Sequence, residues 1–209
     1  MFLRPQFFRA NVHKEDKLKK IVIKTALITL ASVIAVLALA FGVASLAFPK
    51  GMSKMCEDMG NYKLAASYAE RQYGYSGSTE DLYRCARLYI RIGDRDNTIK
   101  YCEELVQKQD FKEVCGDNVQ YVYSNYSTDL YLSGKTDEAI AVAEKSVEDG
   151  FEIPNAYADL TVKAVENSDK EFGADLYASF LKIEEPSGGD FLKYYNAVKN
   201  QLERLIGVN

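Results

Sequence analysis

Leu132-Ser133-Gly134-Lys135-Thr136-Asp137-Glu138-Ala139-Ile140-Ala141 is the stretch that decides how this chain is built. Gly134 is a turn residue that accepts a left-handed backbone. Ala139, five positions later, is small enough to let a second helix lie close against a first. The same pairing recurs at Gly60 and Ala65, at Gly93 and Thr98 and, more weakly, at Ser168 and Gly173. The turn residues stand 33, 41 and 34 positions apart. A recurrence near 34 is the period of a helix–turn–helix unit, which cannot bury its apolar stripe alone and must stack on neighbouring units.

Outward from that stretch, helical spacing of apolar residues predicts an all-α chain. Helices are expected over 49–59, from 62 to a break at Gly74–Gly77, and over 79–92, where Ser78-Thr79-Glu80-Asp81 reads as a cap with acidic residues in the first turn. Further helices are expected over 96–107, 118–132, 136–148, 154–167 with Pro154 in its first turn, and 170–183. Pro186-Ser187-Gly188-Gly189 breaks the chain before a last helix capped by Asp190 and running to Ile206. Residues 108–117 are an insertion that lengthens the second interval. No segment sustains the alternation of a strand.

The N-terminal quarter is different. Thr25–Phe48 is a run of 24 residues without a charge, and at the helical rise it spans roughly 36 Å, enough to cross a hydrocarbon core of roughly 30 Å. Ser45-Leu46-Ala47 is a passable signal-cleavage site, but the apolar run is about twice the usual length of a signal core, so a retained anchor is expected. The leader, residues 1–24, carries a net charge of +5, while residues 25–209 carry −9. Positive-inside weighting puts the leader in the cytoplasm and the bulk of the protein on the outer side. The domain division follows: a basic leader 1–24, a transmembrane helix 25–48, a repeat domain 49–186 and a C-terminal capping helix 187–209. The acidic outer part argues against nucleic acid as partner, since phosphates demand a basic face.

The repeats resemble the tetratricopeptide repeat (TPR) family. Arg91-Ile92-Gly93-Asp94-Arg95-Asp96-Asn97-Thr98-Ile99-Lys100-Tyr101-Cys102 is similar to the family's turn and second helix, and the stretch from Leu132 to Ala141 is more similar still. Leu82, Tyr123 and Tyr157 fall at the family's bulky position, and Ala86, Ser127 and Thr161, four residues later, at its small one. The resemblance covers about residues 50–185 and implies an α-solenoid of about four TPR-like units closed by a capping helix. It is weakest in the first unit, where the membrane span takes the place of a full leading helix. The family's closing proline is missing, with Asp110, Phe151 and Glu185 standing at those positions.

No catalytic constellation is visible, so the expectation is a protein that is not an enzyme, with no cofactor and no metal. The single histidine, His13, lies in the leader, and no phosphate-binding loop or nucleophile motif occurs. Cys56, Cys85, Cys102 and Cys115 form no CxxC pair. Cys85 and Cys102 flank the Gly93 turn at eight and nine residues, level in a helical hairpin. They form a candidate disulfide in an oxidising compartment, or two buried apolar residues at a helix contact, which is the favoured alternative. Asn125-Tyr126-Ser127 is a glycosylation sequon read as chance, because Ser127 falls at a packing position.

Most of the 15 tyrosines are expected in the core. By register, Tyr83, Arg87, Ile90, Arg91, Tyr121, Ser124, Thr128 and Tyr131 project from the first helices, which in the TPR family line the concave face. Tyr and Arg bury area with a polar handle and anchor interfaces. The expected partner is therefore a protein or peptide, and the expected role a membrane-anchored, non-catalytic interaction scaffold. A chaperone-like helper of newly translocated chains, associated with the translocon, is the alternative. The Lys- and Asn-rich clamp that some relatives use for acidic chaperone C-termini is not matched, which disfavours that partner class.

Overall fold

A computed structural model describes residues 6–151 and 155–208, with side chains from residue 19 onward. The chain divides into two compact units, Met1–Pro49 and Lys50–Asn209. The first consists of one continuous helix, α1 (Gln6–Ala47). Its Lys19–Ala47 portion has a mean hydropathy of 2.6 over its most apolar stretch and is long enough to cross a membrane. Thr29 and Ser32 donate their hydroxyls to the carbonyls of Thr25 and Ile28, at 3.0 and 2.9 Å, so these polar groups are satisfied within the helix. The helix starts well inside the leader, without a break before Thr25. Pro154 and the side chains of Arg4, Arg9, His13, Lys14 and Lys17 lie outside the described residues.

The second unit is built from α2 (Pro49–Asp58), α3 (Tyr62–Ser76), α4 (Thr79–Ile92), α5 (Arg95–Leu105), α6 (Phe111–Cys115), a 3-10 turn (Gly116–Asn118), α7 (Val119–Leu132), α8 (Thr136–Glu148), α9 (Asn155–Glu166), α10 (Lys170–Phe180) and α11 (Gly189–Ile206). No strand occurs among the described residues. Short polar turns set the boundaries. Side chains of Asn61, Ser78, Asp94 and Asp169 each accept from the backbone N–H three residues on, at the starts of α3, α4, α5 and α10. Gly93 and Gly134 adopt φ of +69° and +78°, and Ser168, at the equivalent place, adopts +52°. The weakest match in the sequence thus makes the same left-handed turn, here without glycine.

Consecutive helices pack on one another: α4 lies between α3 and α5, α7 touches α5, α8 and α9, and α11 closes against α9 and α10. The reason lies at the small positions. Ala65, Thr98 and Ala139 are fully buried, as are Ala86, Ser127 and Thr161 on the facing helices. At Gly173 a Cβ would stand 2.6 Å from Leu205 Cδ2, so α11 lies directly over that backbone. Leu82, Tyr123 and Tyr157 lie deep in the core, each at most 1% exposed. Burying one such side chain stabilises the fold by about 1.5–3 kcal/mol.

Two local expectations are corrected, and the insertion takes on structure of its own. Gly74 does not end α3, which runs to Ser76 and stops at Gly77 with φ +60°. Glycine at Gly74 weakens the helix by about 1 kcal/mol, and the adjacent Tyr73, donating to Glu104, holds it in place. The 108–117 insertion folds as α6 and the start of the 3-10 turn, with Phe111 and Cys115 buried. Asp190 does not cap α11; Gly188 holds that place and Asp190 pairs with Lys193 at 2.9 Å in the first turn.

Candidate functional site

Tyr83, Arg87 and Arg91 lie four residues apart along α4 and so occupy one face of it. That face meets Asn118 of the 3-10 turn and Tyr121 of α7, and the five side chains line an open cleft of about 330 Å³. The charge in this region is held asymmetrically. Glu57 of α2 accepts from Arg84 Nη2 at 2.7 Å and from Arg87 Nη2 at 2.8 Å, so one carboxylate answers two guanidinium groups. Arg91 stands 4.1 Å over the Tyr62 ring, and no described carboxylate lies within ion-pair distance of it. The cleft therefore carries surplus positive charge on an otherwise acidic unit.

The two phenols differ from most of the buried tyrosines. Tyr73 donates to Glu104, Tyr101 to Glu70, Tyr123 to Asp149, Tyr131 to Asp169 and Tyr177 to Glu203. Tyr83 and Tyr121 donate to no group among the described residues. Burial raises the pKa of both, against the charge of Arg87 at Tyr83 and of Arg87 and Arg91 at Tyr121. Both remain protonated donors at neutral pH. With two guanidinium groups and the Asn118 amide, the lining is rich in donors, which suits an acceptor such as a backbone carbonyl.

Of the eight positions read from register, the structure brings Tyr83, Arg87, Arg91 and Tyr121 together. Ile90 is half-buried and packs on the core, and Thr128 is half-buried on α7. Ser124 and Tyr131 are buried and do not line an open face, which corrects the expectation. Ser124 donates to Asp159 of α9. Tyr131 stacks on Phe172 of α10 with ring centres 4.4 Å apart. Those two side chains knit α7 to the units that follow it. Asn118, expected to open the 118–132 helix, instead ends the 3-10 turn Gly116–Asn118 and meets the cleft from there. The tyrosine–carboxylate pairs escape the repeat reading, since their partners lie 26–38 residues apart.

Cys85 and Cys102 are free thiols, as are Cys56 and Cys115, and all four are buried. The candidate disulfide is absent from the structure. Burial pushes the thiols of Cys85 and Cys115 up to about 12 and raises those of Cys102 and Cys56, which suppresses the reactive thiolate. Ser127 of the sequon is fully buried, its hydroxyl donating to the Ser124 carbonyl at 3.0 Å.

No protein-family model matches this chain, and no curated protein matches it.

Proposed function

We propose that this protein is a membrane-anchored, non-catalytic scaffold in which α1 is retained as a single span and a TPR-like stack of about four helix–turn–helix units holds a protein partner outside the cytoplasm. The observation that carries the reading is the cleft itself. Residues from α4 and α7 that the repeat register marks as outward-facing converge on one opening, and two of them have hydroxyls with no partner among the described residues. The anchor is supported by the length and apolarity of Lys19–Ala47, and the orientation by the basic leader. The TPR-like character is supported by the left-handed turns at Gly93, Gly134 and Ser168 and by the buried small residues five positions after them.

The experiment is crosslinking of the full-length protein in its native membrane, compared with the variant Tyr83→Ala/Arg91→Ala/Tyr121→Ala. Arg87 is left alone because it also holds Glu57. Recovery of one or two partners that the variant loses supports the scaffold. A broad set of translocated chains recovered equally by both proteins refutes a specific cleft and favours the chaperone-like role.

A further inference from the structure

Every side chain that lines the cleft between α4 and α7 carries a hydrogen-bond donor, and none carries a carboxylate. Their polar ends converge. The charge of Arg87 acts on the hydroxyls of both Tyr83 and Tyr121, that of Arg91 acts on Tyr121, and Tyr121 is near enough to act on Tyr83. No carboxylate is among the groups that act on either hydroxyl. Asp94, three residues past Arg91, is engaged as the cap of α5, and Asp117, beside Asn118, does not line the cleft. The Asn118 amide already donates to the Cys115 carbonyl at 3.4 Å, so the unanswered donors are the phenols and Arg91.

Elsewhere in this unit the same kinds of group are met by carboxylates. Tyr73, Tyr101, Tyr123, Tyr131 and Tyr177 each donate to one, and Arg84 and Arg87 share Glu57. Glu57 offsets only one of the three guanidinium groups Arg84, Arg87 and Arg91. A backbone carbonyl satisfies a phenol but leaves that surplus charge unanswered, whereas a carboxylate answers both. The walls are long side chains from two helices, so the acceptor must reach between them on a stem. A carboxylate at a chain end sits directly on its backbone and has none. The net charge of −9 on residues 25–209 opposes such a ligand only weakly, because charges more than about 8 Å away are screened at physiological salt.

We infer that this cleft binds the side-chain carboxylate of a glutamate or aspartate in an acidic segment of the partner protein. Arg91 and the hydroxyls of Tyr83 and Tyr121 donate to its oxygens, and Arg87 adds charge while keeping Glu57. The inference rests on the reading of this cleft as the surface that holds a protein partner.

The test is ligand-observed saturation-transfer NMR on the full-length protein in detergent micelles, titrated with N-acetyl-alanyl-glutamyl-alaninamide. The same peptide with glutamine keeps the shape without the charge, and N-acetyl-trialanine carries its carboxylate at the chain end. The glutamate peptide is expected to bind at least about fivefold more tightly than either. Arg91→Gln and Tyr121→Phe are each expected to weaken it about three- to tenfold, the scale of one hydrogen bond to a charged group at an open site. Lys170→Gln, removing an exposed cation on α10, is expected to leave it unchanged. Absence of binding, equal binding of the glutamate and glutamine peptides, binding of N-acetyl-trialanine as tight as the glutamate peptide, or equal weakening by Lys170→Gln overturns the inference. If Arg91→Gln lowers the thermal midpoint, Tyr121→Phe alone decides. The scaffold reading fails separately. Partners lost from the crosslinked triple variant, together with equal binding of the glutamate and glutamine peptides, overturn the carboxylate alone and leave the scaffold standing. Partners crosslinked equally by both proteins refute the cleft as a partner site whatever the peptides do.

Discussion

Replacing Tyr123 with phenylalanine removes one hydroxyl from a side chain that is fully buried in the core. That hydroxyl donates to Asp149 at the end of α8, whose carboxylate also holds Lys112 at 2.9 Å. The ring itself packs edge-on against Phe111, with centres 5.5 Å apart, and the substitution leaves it in place. A hydrogen bond to a charged group is worth about 1.5–3 kcal/mol. Asp149 keeps its lysine and some solvent, so the expected loss is near the lower end, about 1.5 kcal/mol at neutral pH. In a unit of this size that lowers the thermal midpoint by about 3–6 °C.

The loss should depend on pH. Burial acts to raise the Asp149 pKa, but the bonds from Tyr123 and Lys112 outweigh it and the carboxyl is held below its ordinary range. A carboxyl depressed in the folded state contributes stability that is complete above its unfolded value, about 3.9, and fades as pH falls through its folded value. The gap between wild type and Tyr123→Phe should therefore narrow below about pH 4. Urea titrations of the full-length protein in micelles, followed by near-ultraviolet dichroism of the tyrosines, measure both. A loss under about 0.5 kcal/mol at pH 7, or one that stays undiminished however far the pH is lowered, would refute the assigned role of this bond.

Other substitutions probe other levels of the fold. Glu57→Gln leaves Arg84, whose side chain is 20% exposed, without its counter-charge and should cost about 1–2 kcal/mol in a urea titration. An unchanged midpoint would mean that α2 docks by other contacts. Leu82→Ala empties a fully buried site and should cost about 2–5 kcal/mol, against less than about 1 kcal/mol for Leu132→Ala at 37% exposure. Equal costs would contradict the placement of Leu82 in the core. The four thiols should resist a disulfide reagent at pH 8 until urea unfolds the protein. Rapid labelling of any of them in the native state would show that its burial is wrong.

Part of the architecture was legible because it is written in local chemistry. A turn residue followed five positions later by a small one needs no distant information. All four such pairs, even Ser168 with Gly173, became left-handed turns leading into close-packed helices. Thr25–Phe48 was equally plain, since 24 uncharged residues have few alternatives to a single apolar helix. Gly74 was misread because propensity is weak beside tertiary contact, and Asp190 because a cap depends on where the preceding glycines turn.

Sequence alone therefore determined the helical class, the repeat period, the small contact positions and the apolar N-terminal helix, all properties of residues close together in the chain. Only the tertiary structure decided which outward-facing residues stay open. Ser124 and Tyr131 were taken up by α9 and α10, while Tyr121 stayed in the open beside Tyr83 and Asn118, the last residue of the 3-10 turn that follows the insertion. The physical reason is distance along the chain. The carboxylate partners of the tyrosines lie 26–38 residues away, and no local pattern records which hydroxyl will find one.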